Sequence, residues 1–159
     1  MNISLQARTR DHVKTFWEKT QDKEIQSMFP SSISCLEEAL TLFGNSLQNN
    51  ATSYGKVILV DGLYVGDIWC YGIDATHEKT AMLSIVIFDK SKWGLGIATT
   101  LIPSFLDEVF HRYPIHSIGA FTYASNQRSL RALQKSGFLS LETFIEDGIK
   151  SIYLEYKKG

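Results

Sequence analysis

The stretch Lys92-Trp93-Gly94-Leu95-Gly96-Ile97-Ala98-Thr99 joins an apolar, β-branched run at residues 82–88 (MLSIVIF) to a segment in which Ile97, Leu101, Phe105 and Val109 recur every four residues. The first pattern predicts a buried strand and the second an amphipathic helix, widened by Ala98, Ile102 and Leu106. Glycines between a strand and a helix let the backbone approach a ligand closely. The free amides and positive dipole end of the first helical turn then face an anion, which is chemistry suited to phosphate. A tight connection with no ligand uses the same residues, so this stretch alone leaves both readings open.

The better-known phosphate loops do not fit. A dinucleotide fingerprint needs Gly or Ala at the sixth position and an acid at the end of the next strand; here Thr99 holds that position and residues 115–123 (IHSIGAFTY) carry no acid. A P-loop needs Lys-Ser/Thr after the second glycine, where Ile97-Ala98 stand. His12, His77, His111 and His116 show no metal-ligand spacing, and the only cysteines, Cys35 and Cys70, lie far apart, so neither a metal site nor a disulfide framework is expected.

A second constellation narrows the ligand. Asn126-Gln127-Arg128-Ser129 followed by Lys135-Ser136-Gly137-Phe138 closely resembles the Asn-x-x-Ser/Ala…Lys-x-Gly-Phe segment of the GCN5-related N-acetyltransferase (GNAT) superfamily. The glycine loop of that family, Arg/Gln-x-x-Gly-x-Gly/Ala, resembles Ser91 to Gly96 at both glycines, and Asn126 follows the loop by about 30 residues, as the family pattern requires. The wording Trp-Gly-x-Gly-x-Ala-Thr is most similar to the branch of ribosomal-protein N-terminal alanine acetyltransferases.

The resemblance implies an acetyl-CoA-dependent N-acetyltransferase acting on a primary amine, either a protein N-terminus or a small molecule, by direct attack on the thioester. The pyrophosphate would lie on the amides of Trp93, Gly94, Leu95, Gly96, Ile97 and Ala98, with Lys92 nearby as a cation. The pantetheine arm would pair with backbone groups of Ile85 and Ile87 and hydrogen-bond to Asn126, whose alternative role is a helix cap. The amide of Ile87 would stabilise the oxyanion. Many relatives protonate the leaving thiolate with a Tyr seven residues after the Asn. That position is Leu133 here, so Ser129 is the expected substitute and Tyr123 the weaker one. A carboxylate base often precedes the loop in the family, but Met82, Leu83 and Ser84 stand there, leaving Asp67, Glu78 and Asp89 as candidates. With those gaps, the rival reading is a non-catalytic CoA-binding or regulatory module of the same fold.

The elements that must position these residues follow from periodicity and turn chemistry. A strand at residues 3–7 leads to a helical region capped by Thr9 or Asp11, running to about residue 28 and stopped by Pro30. Ser34-x-x-Glu37 reads as a capping box for a helix that fades near Asn49-Asn50. Strands at 54–60 and 63–73 flank Asp61-Gly62, a strong hairpin signal. After a polar turn at 74–79 come the strand and helix of the opening motif, the latter carrying a helix-weakening Pro103. A strand at 115–123, a helix from Ser125 or Asn126 to Gly137, and strands at 138–145 and 149–156 joined through Glu146-Asp147-Gly148 complete the chain. The fold expected is α/β (α+β): a GNAT-like, mixed, mostly antiparallel twisted sheet with helices on both faces and a central splayed strand pair.

Composition bounds the partners. At 159 residues the chain is expected to form a single N-acetyltransferase domain. Its 16 basic and 17 acidic side chains leave a net charge of −1 without long runs, which gives no nucleic-acid face and no membrane anchor. No apolar segment is long enough to span a bilayer, and the two isolated thiols suit a reducing cytoplasm. The expected partners are acetyl-CoA and an amine, and the resemblance leaves room for a homodimer.

Overall fold

The computed structural model describes residues 1–29, 31 and 33–159; the expected stop at Pro30 lies outside the described residues. The chain runs β1 (Ile3–Ala7), α1 (Arg10–Lys19), α2 (Lys23–Gln26), α3 (Leu36–Ser46), β2 (Tyr54–Val60), β3 (Leu63–Asp74), β4 (Thr80–Ile87), α4 (Ile97–Arg112), β5 (Ser117–Tyr123), α5 (Gln127–Lys135), β6 (Leu139–Glu146) and β7 (Ile149–Lys157). Seven strands form one sheet in the order β1-β2-β3-β4-β5-β7-β6. Neighbours are antiparallel except β4 and β5, which run parallel. This is the mixed, mostly antiparallel α/β architecture expected from the sequence.

The hairpins form where turn residues tolerate a left-handed backbone. Asp61 and Gly62 have φ of 51° and 80°, and Asp147 and Gly148 have 53° and 78°, the pairing of two positive values that matches strand twist in a tight hairpin. Gly137, with φ of 102°, closes α5: Phe138 N donates to Leu133 O at 3.0 Å and Gly137 N to Gln134 O at 3.1 Å, so two carbonyls of the last turn gain partners.

The helical starts are less regular than the sequence suggests. Thr9 caps α1 as expected, with His12 as its box partner: His12 N donates to Thr9 Oγ1 at 3.3 Å and Thr9 N to His12 Nδ1 at 3.0 Å. The helical region to residue 28 breaks into two pieces, because Asp22 restarts it by accepting from Glu24 N and Ile25 N. The capping box at Ser34-x-x-Glu37 does not form. Ser34 instead donates through N and Oγ to Glu38 Oε2, both at 3.0 Å, and Cys35 takes the cap position without a side-chain bond.

The periodic stripe of α4 is buried as predicted: Ile97, Leu101, Ile102, Phe105, Leu106 and Val109 all face the sheet. Pro103 sits inside the helix, which continues through it to Arg112. On the other face α1 and α2 cover a smaller cluster around Ile25, Val86 and Phe88, and α3 packs against α1.

The central strands part company. β4 and β5 pair only at Thr80, Ala81 and Met82, opposite Ser117, Ile118 and Gly119. Beyond Met82 each stays with its outer neighbour, β4 with β3 as far as Gly66↔Ile87 and β5 with β7 as far as Tyr123↔Ser151. A wedge opens between them, and the loop at residues 92–96 and the start of α5 lie at its mouth.

Candidate active site

The wedge opens into a cavity of about 860 Å³. Ile85, Ile87, Lys92, Trp93, Gly94, Leu95, Gly96, Ile97, Ala98, Asn126 and Ser129, which sequence alone had grouped, all line it. Residues from four separate elements are thus brought to one space.

Strand pairing fixes what β4 offers to the wedge. Phe88 N donates to Val65 O on the β3 side at 2.9 Å, whereas Lys79 O accepts from His116 N on the β5 side at 2.8 Å. In a pleated strand backbone groups alternate, so odd-numbered residues of β4 turn their N–H and C=O toward the wedge. Ile85 and Ile87 are odd. The Ile87 carbonyl already accepts from Trp93 Nε1 at 2.8 Å, which fixes the indole against the strand and leaves the Ile87 amide as the group directed into the gap.

The loop is held open by conformation. Gly94 and Gly96 have φ of 77° and 78°, and a Cβ at either would meet nothing within 4 Å, so the left-handed backbone and not crowding is what requires glycine. Gly96 caps α4 and has no side chain to accept from it, and among the described residues no side-chain hydrogen bond is made to the first amides of the helix. One expectation needs correction. Lys92 N and Trp93 N donate to Asp89 O and Lys90 O, at 3.0 and 3.2 Å, inside a 3-10 turn, so the amide run offered to an anion begins at Gly94. Trp93 contributes its ring instead, with the Arg128 guanidinium 4.2 Å from the ring centroid.

Asn126 caps α5, its Oδ1 accepting from Ser129 N at 3.2 Å, and its Nδ2 donates to Met28 O at 3.1 Å. Arg128 also reaches Met28, Nη2 lying 3.3 Å from Sδ. The segment after α2 is thereby tied to α5 across the mouth of the wedge. An amide nitrogen carries two donors, so one remains for a ligand while Met28 is held.

Four cations line the cavity: Lys92, Arg128, Arg131 and Lys135. The last three sit on α5 at spacings of three and four, hence on one helix face. Sequence reasoning singled out only Lys92. The signal for the other three is the spacing of three and four within the segment from Asn126 to Phe138.

A family model described as an acetyltransferase (GNAT) domain matches residues 2–139. The chain belongs to that family. It is an N-acetyltransferase domain with acetyl-CoA as cosubstrate. A spermidine N-acetyltransferase from Vibrio cholerae in complex with CoA and spermine superposes with a TM-score of 0.84 at 18% identity, covering 98% of this chain and 95% of that one. An aminoglycoside acetyltransferase in complex with coenzyme A gives a TM-score of 0.78 at 16% identity, covering 99% and 95%. At such identities the likeness is one of fold. No curated protein matches the chain.

The structure places the three carboxylates that the sequence offered as bases away from the cavity. Neither Asp67, Glu78 nor Asp89 lines the cavity. Asp67 is 3% exposed and engaged elsewhere, its Oδ2 3.0 Å from Arg8 Nε and its Oδ1 accepting from the Tyr64 hydroxyl. Burial pushes its carboxyl above the ordinary range, with Arg8 and Tyr64 acting against that rise. Asp89 accepts from Ser91 N and Oγ and so shapes the turn before the loop. Ser129 is half-buried and borders the cavity; Leu133 is buried in the core on the same helix, and Tyr123 lies off the cavity wall. Among the described lining residues there is no Asp, Glu or His. Tyr71, missed by sequence reasoning, does line it, its phenol pushed up by burial and by the neighbouring Cys70. Among the described residues no group of His, Cys, Asp and Glu is placed to hold a metal, and no helix is long and apolar enough to cross a membrane.

Proposed function

We propose that the domain transfers the acetyl group of acetyl-CoA to a primary amine, a protein N-terminus or a small molecule, by direct attack within a ternary complex. The observation that carries this reading is the wedge itself, in which an outward-turned strand amide, a glycine loop with uncapped amides and a cationic helix face border one cavity. The amides from Gly94 to Ala98, with Lys92, would hold the pyrophosphate; Arg128, Arg131 and Lys135 are placed to add charge at its edge. Ile85 and Ile87 would receive the pantetheine arm as an added half-strand, and Asn126 would give it the donor that Met28 leaves over.

In the reaction the amine nitrogen bonds to the acetyl carbon and the carbon–sulfur bond breaks. The Ile87 amide faces the carbonyl oxygen as charge develops there, Ser129 passes its hydroxyl proton to the leaving thiolate and regains one from water, and the amine proton passes to water. Holding the reactants in line supplies much of the acceleration without a protein base. Ser129→Ala tests the assignment: free thiol release should fall at least tenfold in kcat with CoA affinity within twofold, measured by thiol titration and calorimetry. An unchanged kcat removes Ser129 from the mechanism. CoA binding with no turnover on any amine supports the rival, a non-catalytic CoA module.

The finer expectations belong to the same proposal. The loop wording favours a protein N-terminus as acceptor. The continuous sheet from β1 to β6 supports one domain over residues 1–159. The unpaired thiols of Cys35 and Cys70 suit the cytoplasm. β6 is an edge strand whose Leu139, Leu141 and Ile145 are exposed, a surface suited to a homodimer.

A further inference from the structure

The cavity has two arms of opposite character. Toward α4 and α5 it is lined by loop amides and cations. Toward α1, α2 and α3 the lining is mostly apolar, with Phe16, Ile33, Leu42, Trp69 and Val86 beside the hydroxyls of Ser31, Tyr71 and Ser84. The sheet dictates this. Trp69 pairs with Ser84 and Tyr71 with Met82, so these side chains share with Val86 the face opposite α4. Phe16 of α1 meets Trp69 edge-on, with ring centroids 5.8 Å apart.

The ionisable side chains on the cavity are Tyr71 and the four cations. An acceptor that carries ammonium groups into this space finds no carboxylate among the described lining residues, and a desolvated, unpaired charge costs several kcal/mol or shifts to its neutral form. An apolar body instead gains roughly 25 cal/mol for each Å² it buries. The absence of Asp, Glu and His from the same lining bears on the amine itself. With no side chain there to accept its proton, the reaction draws on the neutral amine already present in water. An α-amine titrates near 8 and an alkylamine near 10.4, so at neutral pH the neutral fraction of the former is on the order of a hundred times larger.

We propose that the acceptor is the α-amine of an apolar residue, with no second cationic group. The inference rests on the acetyl-transfer reading above and names its substrate class. Polyamines and aminoglycosides, the ligands in the complexes of similarly folded proteins, fall outside it.

The test compares kcat/KM at pH 7.5 for phenylalaninamide, a peptide beginning with Phe, phenethylamine, spermidine and kanamycin. Phenylalaninamide or the peptide should exceed phenethylamine at least tenfold, and both polycations at least tenfold. A better peptide assigns the source as a polypeptide N-terminus, and a better amide assigns a small molecule; either supports the class. Leu42→Glu, at a half-exposed position that can accept charge without a folding penalty, should narrow the gap between phenylalaninamide and spermidine at least threefold. Equal or faster turnover of spermidine or kanamycin by the parent protein overturns the inference and leaves acetyl transfer standing. No turnover of any amine, with CoA bound, overturns acetyl transfer and the inference with it.

Discussion

The two faces of the sheet are built from different material. Among the described residues the face under α4 and α5 gathers 21 buried residues into one cluster, while the cluster on the opposite face holds three, Ile25, Val86 and Phe88, with aromatic rings packed around them. Helix α4 buries six residues and α3 buries none. The first face carries the glycine loop and the start of α4, proposed above as the anion site, on a rigid support. The second leaves side chains beside open space, which suits a surface that recognises variable acceptors more than one that carries the fold.

The sharpest break of this contrast is a matched pair of truncations. Phe105 is fully buried on α4, and Phe105→Ala should cost about 3–5 kcal/mol through lost transfer energy and the cavity left behind. For a chain of this size that lowers Tm by roughly 6–20 °C. Leu42→Ala on α3, at 47% exposure, should cost under about 1 kcal/mol. Thermal unfolding of both variants decides it; comparable losses would mean that the α1–α3 face carries the fold equally.

A smaller effect separates holding the donor from holding the fold. Gly96→Ala places a Cβ on a backbone with φ of 78°, costing about 1 kcal/mol by itself. Because Gly96 starts α4 at the cavity, the larger consequence should be a loss of CoA affinity of about tenfold, with the acceptor KM within twofold. Calorimetry of CoA binding reads the first and initial rates the second. Unchanged affinity would remove the loop from the anion site.

The same contrast explains what sequence could show. A backbone-built site demands glycine where φ is positive and a helix start after it, so Gly94, Gly96 and Asn126 were legible as letters. The amphipathic stripe of α4 and the hairpins at Asp61-Gly62 and Asp147-Gly148 were equally plain, being set by neighbours a few residues away. The side proposed to take the acceptor was not. Phe16, Trp69 and Tyr71 read as ordinary core aromatics, and only the pairing of β3 with β4 places them around a shared space. Asp67 was a reasonable base until folding paired it with Arg8, a partner 59 residues away in the chain. Glu38 displaced Glu37 at the start of α3 because Ser34 stands one residue outside the cap position.

The smallest effect concerns a link between the faces. Lys90, in the turn before the glycine loop, places Nζ 2.9 Å from both Asp22 Oδ2 and Glu24 Oε1 of the α2 start. All three side chains are between about two-fifths and half exposed, so solvent screens the attraction and side-chain ordering offsets much of the rest. The hydrogen bond from Lys90 holds the Asp22 carboxyl below its ordinary value of 3.8, helped by the bond from Ile25 N. A carboxyl depressed in the folded state stabilises it fully above its unfolded value and loses that contribution as pH falls through the folded one. Lys90→Met should therefore lower Tm by no more than about 2 °C at neutral pH and low salt. The difference should close in 1 M NaCl, where screening acts within about 3 Å, and again as the medium is acidified below the ordinary carboxyl value. Thermal scans across salt and pH read both. A loss several times larger, insensitive to salt, would mean that this ion pair, and not the packing of Phe16, Ile25 and Val86, anchors the acceptor face to the sheet.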